Sequence, residues 1–317
     1  MTPAVPWSRC SFVADAAQDP REGSAPPADL WFLIEHPGPW GRVPLAQSGI
    51  HSAAVAAVSA WSMAENGRVV LIRKPGRATR SSPTEGVPVP GAVRRWFRID
   101  SRPGHESIRT DTFVDESELV TAVQAPGEPY AGPLALVCTH GRHDTCCAVR
   151  GRPVAAAMVA ADPEHVWECS HIGGCRFAPA VVLLPHGFVL GGPSPSEAPA
   201  VLRDYTAGRL DALWVRGRSS LPPAVQAAQH HAVAATGATG VDALRFVGIS
   251  AEQYADGSSG WRVELADPGC TVWLRERRVE TGRPLTCAAT VTGWMRVFDL
   301  VELMVATPQS SLHDADT

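Results

Sequence analysis

The chain has 317 residues, 45% hydrophobic and 19% charged, with a formal net charge of −4. That is globular composition, with length for about two or three packed domains. It lacks the basic field of a nucleic-acid binder and any run near the ~20 apolar residues of a membrane span, so neither partner is expected.

Residues 1–28, rich in Pro, Ser, Asp and Ala, read as a loose lead-in. "DLWFLIE" (29–35) is a short apolar run and predicts a buried strand. "HPGPWGRVP" is loop by its Pro and Gly content. "SGIHSAAVAAVSAWSMAENG" (48–67) predicts a helix, capped by Ser48 and ended by Asn66-Gly67. "RVVLIRK" (68–74) and the alternating "RRWFRID" (94–100) predict strands, with the loop "GRATRSSPTEGVPVPG" between them. This first unit reads β-α-β-β and occupies residues 29–125.

"APGEPYAGP" (125–133) reads as a linker or long loop. "LALVCTH" (134–140) predicts a buried strand ending on Cys138. "RPVAAAMVAAD" (152–162) predicts a helix with Pro153 in its first turn. "HVWECSHI" (165–172) is a strand, and "AVVLLP" with "GFVLGG" form a hairpin around Pro185-His186. "SPSEAPAVLRDYTAG" (194–208) is a helix in which Ser194 and Glu197 have capping-box spacing. This second unit, residues 126–215, repeats the strand-helix-strand-hairpin order of the first, which makes the pair a candidate duplication of one α/β fold. Residues 216–317 predict a small α+β domain: a helix at 222–237, then "ALRFVGI", "GWRVELA" and "TVWLRER" as strands, and a disordered tail "SSLHDADT".

Five of the eight cysteines fall in residues 138–175. The chain start lacks a basic region followed by an apolar run, so no secretory signal is expected and the setting is taken as a reducing cytoplasm. There, clustered cysteines more often bind metal or act in redox chemistry than form structural disulfides. Cys138 ends a strand, Cys147 lies nine residues later, His171 ends the next strand, and Cys175 follows across Ile172-Gly173-Gly174. Ends of neighbouring strands converge above the edge of an open sheet, where α/β folds place ligands. The Gly-Gly pair permits a tight backbone turn around a bound group. Four soft ligands in two pairs suit zinc or an iron–sulfur cluster. The nine-residue first pair is loose for a single zinc ion and fits the wider [2Fe–2S] cluster, whose ligands are thiolates with histidine as an occasional replacement.

"CTHGRHDTCCAVRGRPV", "VWECSHIGGCRFAPAVVLLPHGFVLGG" and, in the first half, "LWFLIEHPGPWGRVPLAQSGI" resemble the sucrase/ferredoxin-like family of thioredoxin-like [2Fe–2S] ferredoxins. The resemblance covers most of residues 9–215 and continues weakly to the C-terminus. It implies a thioredoxin-like ferredoxin domain, preceded by a related α/β half and followed by the small α+β domain. It implies an electron-transfer or redox-sensing role with a redox partner protein or a small electron acceptor. Family members with two cysteines and two histidines carry His-x-x-x-His at the second ligand pair, and four-cysteine ferredoxins of this fold carry Cys-x-x-x-Cys. This chain has one of each, His171 and Cys175. Cys138 and Cys147 are therefore expected on one iron and His171 and Cys175 on the other. An oxidised cluster so held carries about −1 rather than the about −2 of four thiolates, so its potential should lie higher. The free ring nitrogen of His171 would make that potential pH-dependent; a flat potential across pH would refute this.

Cys146 in place of Cys147, and Cys169 on the strand face of His171, remain alternative ligands, with small buried thiols as the plainer reading. His140 and His143 read as loop residues near the cluster. Arg142 and Arg176 read as donors to cluster sulfur or as solvated arginines, and Asp144 as a loop residue bonding its own backbone. His36 and Trp40 read as lining the face towards the cluster unit or, more plainly, as part of a packed interface loop. "RERR" (275–278) reads as a solvated strand in preference to a docking patch, and the adjacent histidines of "QHHA" (229–232) face apart. Cys10, Cys270 and Cys287 read as isolated structural residues. Two other functions stay open: a zinc-stabilised binding module, and a thiol–disulfide enzyme. The second is weakened because the chain has no Cys-x-x-Cys.

Overall fold

The computed structural model describes residues 9–75 and 91–306, so the expected tail at 310–317 and nearly all of the expected loop at 76–91 lie outside the described residues. The first element among the described residues is helix α1 (Cys10–Ala16), within the expected loose lead-in. Its N-cap is Arg9, which makes no side-chain bond. The usual start signal is therefore missing, and burial of Cys10, Ser11 and Ala14 holds the helix instead.

The first half continues with β1 (Leu30–Glu35), α2 (Pro44–Gln47), α3 (Ser52–Ala64), β2 (Gly67–Arg73), β3 (Arg94–Asp100), β4 (Ser107–Phe113), α4 (Leu119–Ala122) and β5 (Glu128–Pro129). The single helix expected over 48–67 is broken before Ser52. Gly49 takes a φ of +77°, and the Ser48 hydroxyl accepts from the Gly41 N–H at 3.1 Å instead of capping a helix. β4 is an addition to the expected elements, and β5 pairs with it where a linker was expected.

The second half runs β6 (Leu134–Cys138), α5 (Thr145–Ala161), β7 (Val166–Cys169), β8 (Ala180–Leu184), β9 (Phe188–Gly191) and α6 (Ala198–Thr206). Helix α5 starts at Thr145, well before the expected 152, because Asp144 is its N-cap and accepts from the Cys146 N–H at 2.9 Å. Pro153 therefore sits inside the helix rather than in its first turn. Of the expected capping box before α6, the bond from the Ser194 N–H to the Glu197 carboxylate forms, at 2.9 Å. The chain ends with β10 (Val215–Arg218), α7 (Pro223–Thr236), β11 (Arg245–Gln253), β12 (Ser259–Ala266), β13 (Cys270–Glu280) and β14 (Trp294–Val305). The last of these was not foreseen in the sequence.

Strands β1 to β10 form one sheet in the order β10-β9-β8-β6-β7-β2-β1-β3-β4-β5. Each half contributes the same four-strand arrangement, β4-β3-β1-β2 and β9-β8-β6-β7. In each, the first two strands are parallel and the third is antiparallel to the first, which is the thioredoxin-like order. The halves join where β2 pairs antiparallel with β7 through their C-terminal ends, Ile72 opposite Cys169 and Arg73 opposite Glu168. The loops after β1 and β6 are thereby brought towards each other near the middle of the sheet.

One face of the sheet buries a core shared by both halves, with Trp31, Leu33, Ile72 and Phe97 packed with Leu136, Trp167 and Val182. The other face is covered separately. Phe32, Trp61, Trp96 and Phe113 pack around α3 in the first half, and Val137, Val154, Met158 and Leu202 pack around α5 and α6 in the second. Each such side chain contributes roughly 1.5–3 kcal/mol when fully buried. Strands β11 to β14 form a separate antiparallel meander. Helix α7 packs on it and on β10, through Val225, Ala228 and Ala232.

A candidate metal and redox centre

Cys138 is the last residue of β6 and lies opposite Cys169 in the parallel ladder with β7. Because Asp144 caps α5, Cys147 falls in the first turn of that helix, with its thiol facing back towards the strand ends. His171 lies two residues beyond β7, not on it. From there Gly173 and Gly174, with φ of +100° and +74°, turn the chain so that Cys175 returns to His171. A side chain at Gly174 would meet the Arg216 guanidinium, so this position needs glycine both for its conformation and for space.

The donors converge. Cys147 Sγ lies 3.9 Å from His171 Nδ1, and Cys175 Sγ lies 3.7 Å from the same nitrogen. Ligand atoms of Cys138, Cys147 and His171 are all within 4.8 Å of one another. The three thiols are buried and the imidazole is half-buried. Cys146 diverges from its neighbour: its sulfur lies 3.4 Å from Cys287 Sγ, on a different cluster of side chains.

The groups influence one another's protons. Hydrogen bonding from Cys147, then from Cys169 and His171, holds the Cys138 thiol well below the ordinary range against the cost of burial. Cys147 likewise lowers Cys175. Burial pushes the His171 imidazole down, but bonding to Cys138 and Cys175 outweighs it and holds the ring at about 9. A metal taking these donors would displace protons from the thiols and the imidazole.

His140 orients His171. Its Nε2 lies 2.9 Å from the Gly41 carbonyl, and its Nδ1 accepts the His171 N–H at 3.2 Å, which fixes a neutral ring protonated on Nε2. Burial lowers its pKa, in keeping with that form. His143 stacks on His171 with ring centroids 3.6 Å apart. Its Nδ1 lies 3.4 Å from the Arg42 carbonyl. The loop after β1 in the first half therefore borders the centre through Gly41 and Arg42, and Trp40 meets His140 edge-on at 5.8 Å. His36 instead faces Glu116, 3.6 Å away, within the first half.

The expected arginines stand differently. Arg142 is exposed. Arg176 is turned to Asp19, at 3.4 Å, and lies over the Phe177 ring. Two arginines that the sequence did not single out are closer. Arg216 donates to the Gly173 carbonyl at 3.0 Å and to the Ser24 carbonyl, and burial lowers its pKa to about 9. Arg68 is half-buried at the start of β2, beside Gly173. Burial lowers its pKa against the pull of Cys169 and Cys138. No local motif marks either residue, because each reaches the centre from a distant strand. A surface depression of about 450 Å³, lined by Pro44, Met63, Arg68 and Ser170 among others, opens onto His171. None of the helices, among the described residues, is long and apolar enough to cross a membrane.

Two thioredoxin-like units on one sheet, with soft donors at the strand ends of the second, define the class of the molecule. The model of the sucrase/ferredoxin-like family matches residues 22–217, and the chain belongs to that family. Similar solved structures include a thioredoxin-like [2Fe–2S] ferredoxin from Aquifex aeolicus, 18% identical, with 29% of this chain and 97% of that chain covered and a TM-score of 0.25. A cysteine-to-serine variant of that ferredoxin is 19% identical over 26% of this chain and 97% of its own, with a TM-score of 0.23. Among curated proteins no match is found.

Proposed function

We propose that the chain holds a [2Fe–2S] cluster through Cys138, Cys147, His171 and Cys175 and acts as a one-electron carrier or redox sensor. The observation that carries this reading is the approach of three buried thiols, Cys138, Cys147 and Cys175, to one half-buried imidazole, His171, beyond the ends of β6 and β7. The donor set is soft and suits iron–sulfur chemistry. When bound, the cluster supplies single-electron oxidation and reduction. The chain's own residues do the rest. His140 sets the orientation of His171, Arg216 braces the Gly173-Gly174 turn, and Arg68 and Arg216 place positive charge beside a group that gains negative charge on reduction. The depression at His171 gives a redox partner protein or a small electron acceptor its nearest approach.

The divergence of Cys146 and Cys147 speaks against a vicinal disulfide between them. The first experiment is a visible absorption spectrum of freshly purified protein, with iron and acid-labile sulfide quantified. Bands between roughly 320 and 600 nm that bleach with dithionite, with about two iron and two sulfide per chain, are expected. A colourless chain with zinc on these four residues would make the protein a zinc-stabilised binding module. A metal-free chain that resists anaerobic reconstitution would point to thiol chemistry.

A further inference from the structure

Cys10 and Cys287, isolated in the sequence, are neighbours in the fold. Cys10 begins α1, Cys146 lies in the first turn of α5, and Cys287 lies between β13 and β14. Cys287 Sγ is 3.5 Å from Cys10 Sγ and 3.4 Å from Cys146 Sγ. Cys10 Sγ is 3.7 and 3.8 Å from the two carboxylate oxygens of Asp144. One ligand atom from each of the four residues lies within 4.8 Å of every other. Three of the residues are buried and Cys287 is half-buried.

We propose that Cys10, Cys146, Cys287 and Asp144 form a closed, structural zinc site that borders the candidate cluster centre, where Asp144 also comes within 4.8 Å of Cys147 and Cys175, but shares no thiol with it. Zinc–sulfur bonds of about 2.3 Å and a zinc–oxygen bond of about 2.0–2.2 Å, arranged tetrahedrally, put sulfurs roughly 3.8 Å apart and sulfur from oxygen about 3.5 Å. The observed spacings sit close to both values. A disulfide would join two of the three thiols and leave the third unpaired. Asp144 is positioned for ligation: it accepts the Cys146 and Cys287 N–H groups at 2.9 and 2.8 Å, and each oxygen keeps a lone pair for an ion. Four protein donors leave no open position, which marks a structural rather than a catalytic zinc. The ion would tie α1 and the segment before β14 to the start of α5. An ion pair between Arg283 and Asp19 joins the same two regions independently.

The test is metal analysis of the full chain from zinc-replete cells, under reducing conditions. The expected result is about one zinc per chain. Cys10→Ser and Cys287→Ser should each lower zinc at least tenfold while leaving iron and sulfide per chain unchanged. Cys138→Ser should do the reverse, so failure of the cluster reading and failure of this one are told apart. A wild-type chain without zinc overturns the proposal. So does zinc that survives both substitutions, or a Cys10–Cys287 or Cys146–Cys287 disulfide in a non-reducing peptide map. Should the variants fold poorly, zinc-edge X-ray absorption of the wild-type chain decides. Three sulfurs and one light atom without the outer-shell scattering of an imidazole support the site, and any other ligand set overturns it.

Discussion

The two halves of the large sheet share one strand order and differ in the loop after their first strand. After β1 the loop His36–Arg42 carries no thiol. Trp40 packs against His140, and the Gly41 and Arg42 carbonyls face the other half. After β6 the chain leaves from Cys138 and ends its loop at the Asp144 cap, which delivers Cys146 and Cys147 on the first turn of α5. The outer cores differ in the same sense. The first half is filled by Phe32, Trp61, Trp96 and Phe113, and the second mainly by smaller aliphatic residues such as Val137, Val154 and Leu202. One topology thus serves in the first half as a packed wall and in the second as a holder of donors. Fold alone does not fix function; the residues at the strand ends do.

The contrast can be broken most sharply at the donors. Cys138→Ser should abolish the visible bands and reduce iron to below about a tenth of its wild-type content, whereas His36→Ala should leave both intact, as read by spectrum and iron analysis. Next comes the aromatic wall. Trp96 is fully buried and stacked on Phe32 at 5.6 Å. Trp96→Ala should cost about 3–5 kcal/mol in urea unfolding, with iron per folded chain unchanged. If iron were lost without loss of stability, the two halves would not divide the work in this way. His140→Ala removes the acceptor of the His171 N–H and the bond to Gly41. It should cost roughly 1–3 kcal/mol and speed iron loss to a chelator while still permitting cluster assembly.

The smallest effect lies away from both centres. Burial pushes the Glu106 carboxyl up, but the hydrogen bond from Arg218, aided by its charge, outweighs this and holds it below the usual range. A carboxyl depressed in the folded state stabilises above its unfolded pKa of about 4.3 and loses that contribution as pH falls through the folded value. Glu106→Gln should therefore lower stability by about 1 kcal/mol at pH 7 and flatten the acid limb of stability against pH. A wild-type acid limb in the variant would show that Arg218 gains nothing from this partner.

The donor motif was legible because its members lie within 38 residues and their spacing matches two neighbouring strand ends. The hairpin of β8 and β9 and most of the order of elements along the chain were legible from apolar runs and turn residues. The start of α5 was misplaced because Pro153 is a strong first-turn signal, and the true cap, Asp144, looked like a loop residue. Helix α1 has no side-chain cap and is held by tertiary burial. Arg68 and Arg216 reach the centre from β2 and β10, and Cys10 meets Cys287 across 277 positions. Such contacts leave no local trace in a single sequence.

The pairing of β2 with β7 through their C-terminal ends joins a half made early to a half made later. The backbone carbonyls of Gly41 and Arg42 belong to a unit that is synthesised before Cys138 and emerges first, so the shelf that steadies His140 and His143 can fold first. The donors of the second half then emerge against a surface already in place. Cys287 arrives last of all, so the segment that carries it can act as the closing latch on a centre whose other parts have already met.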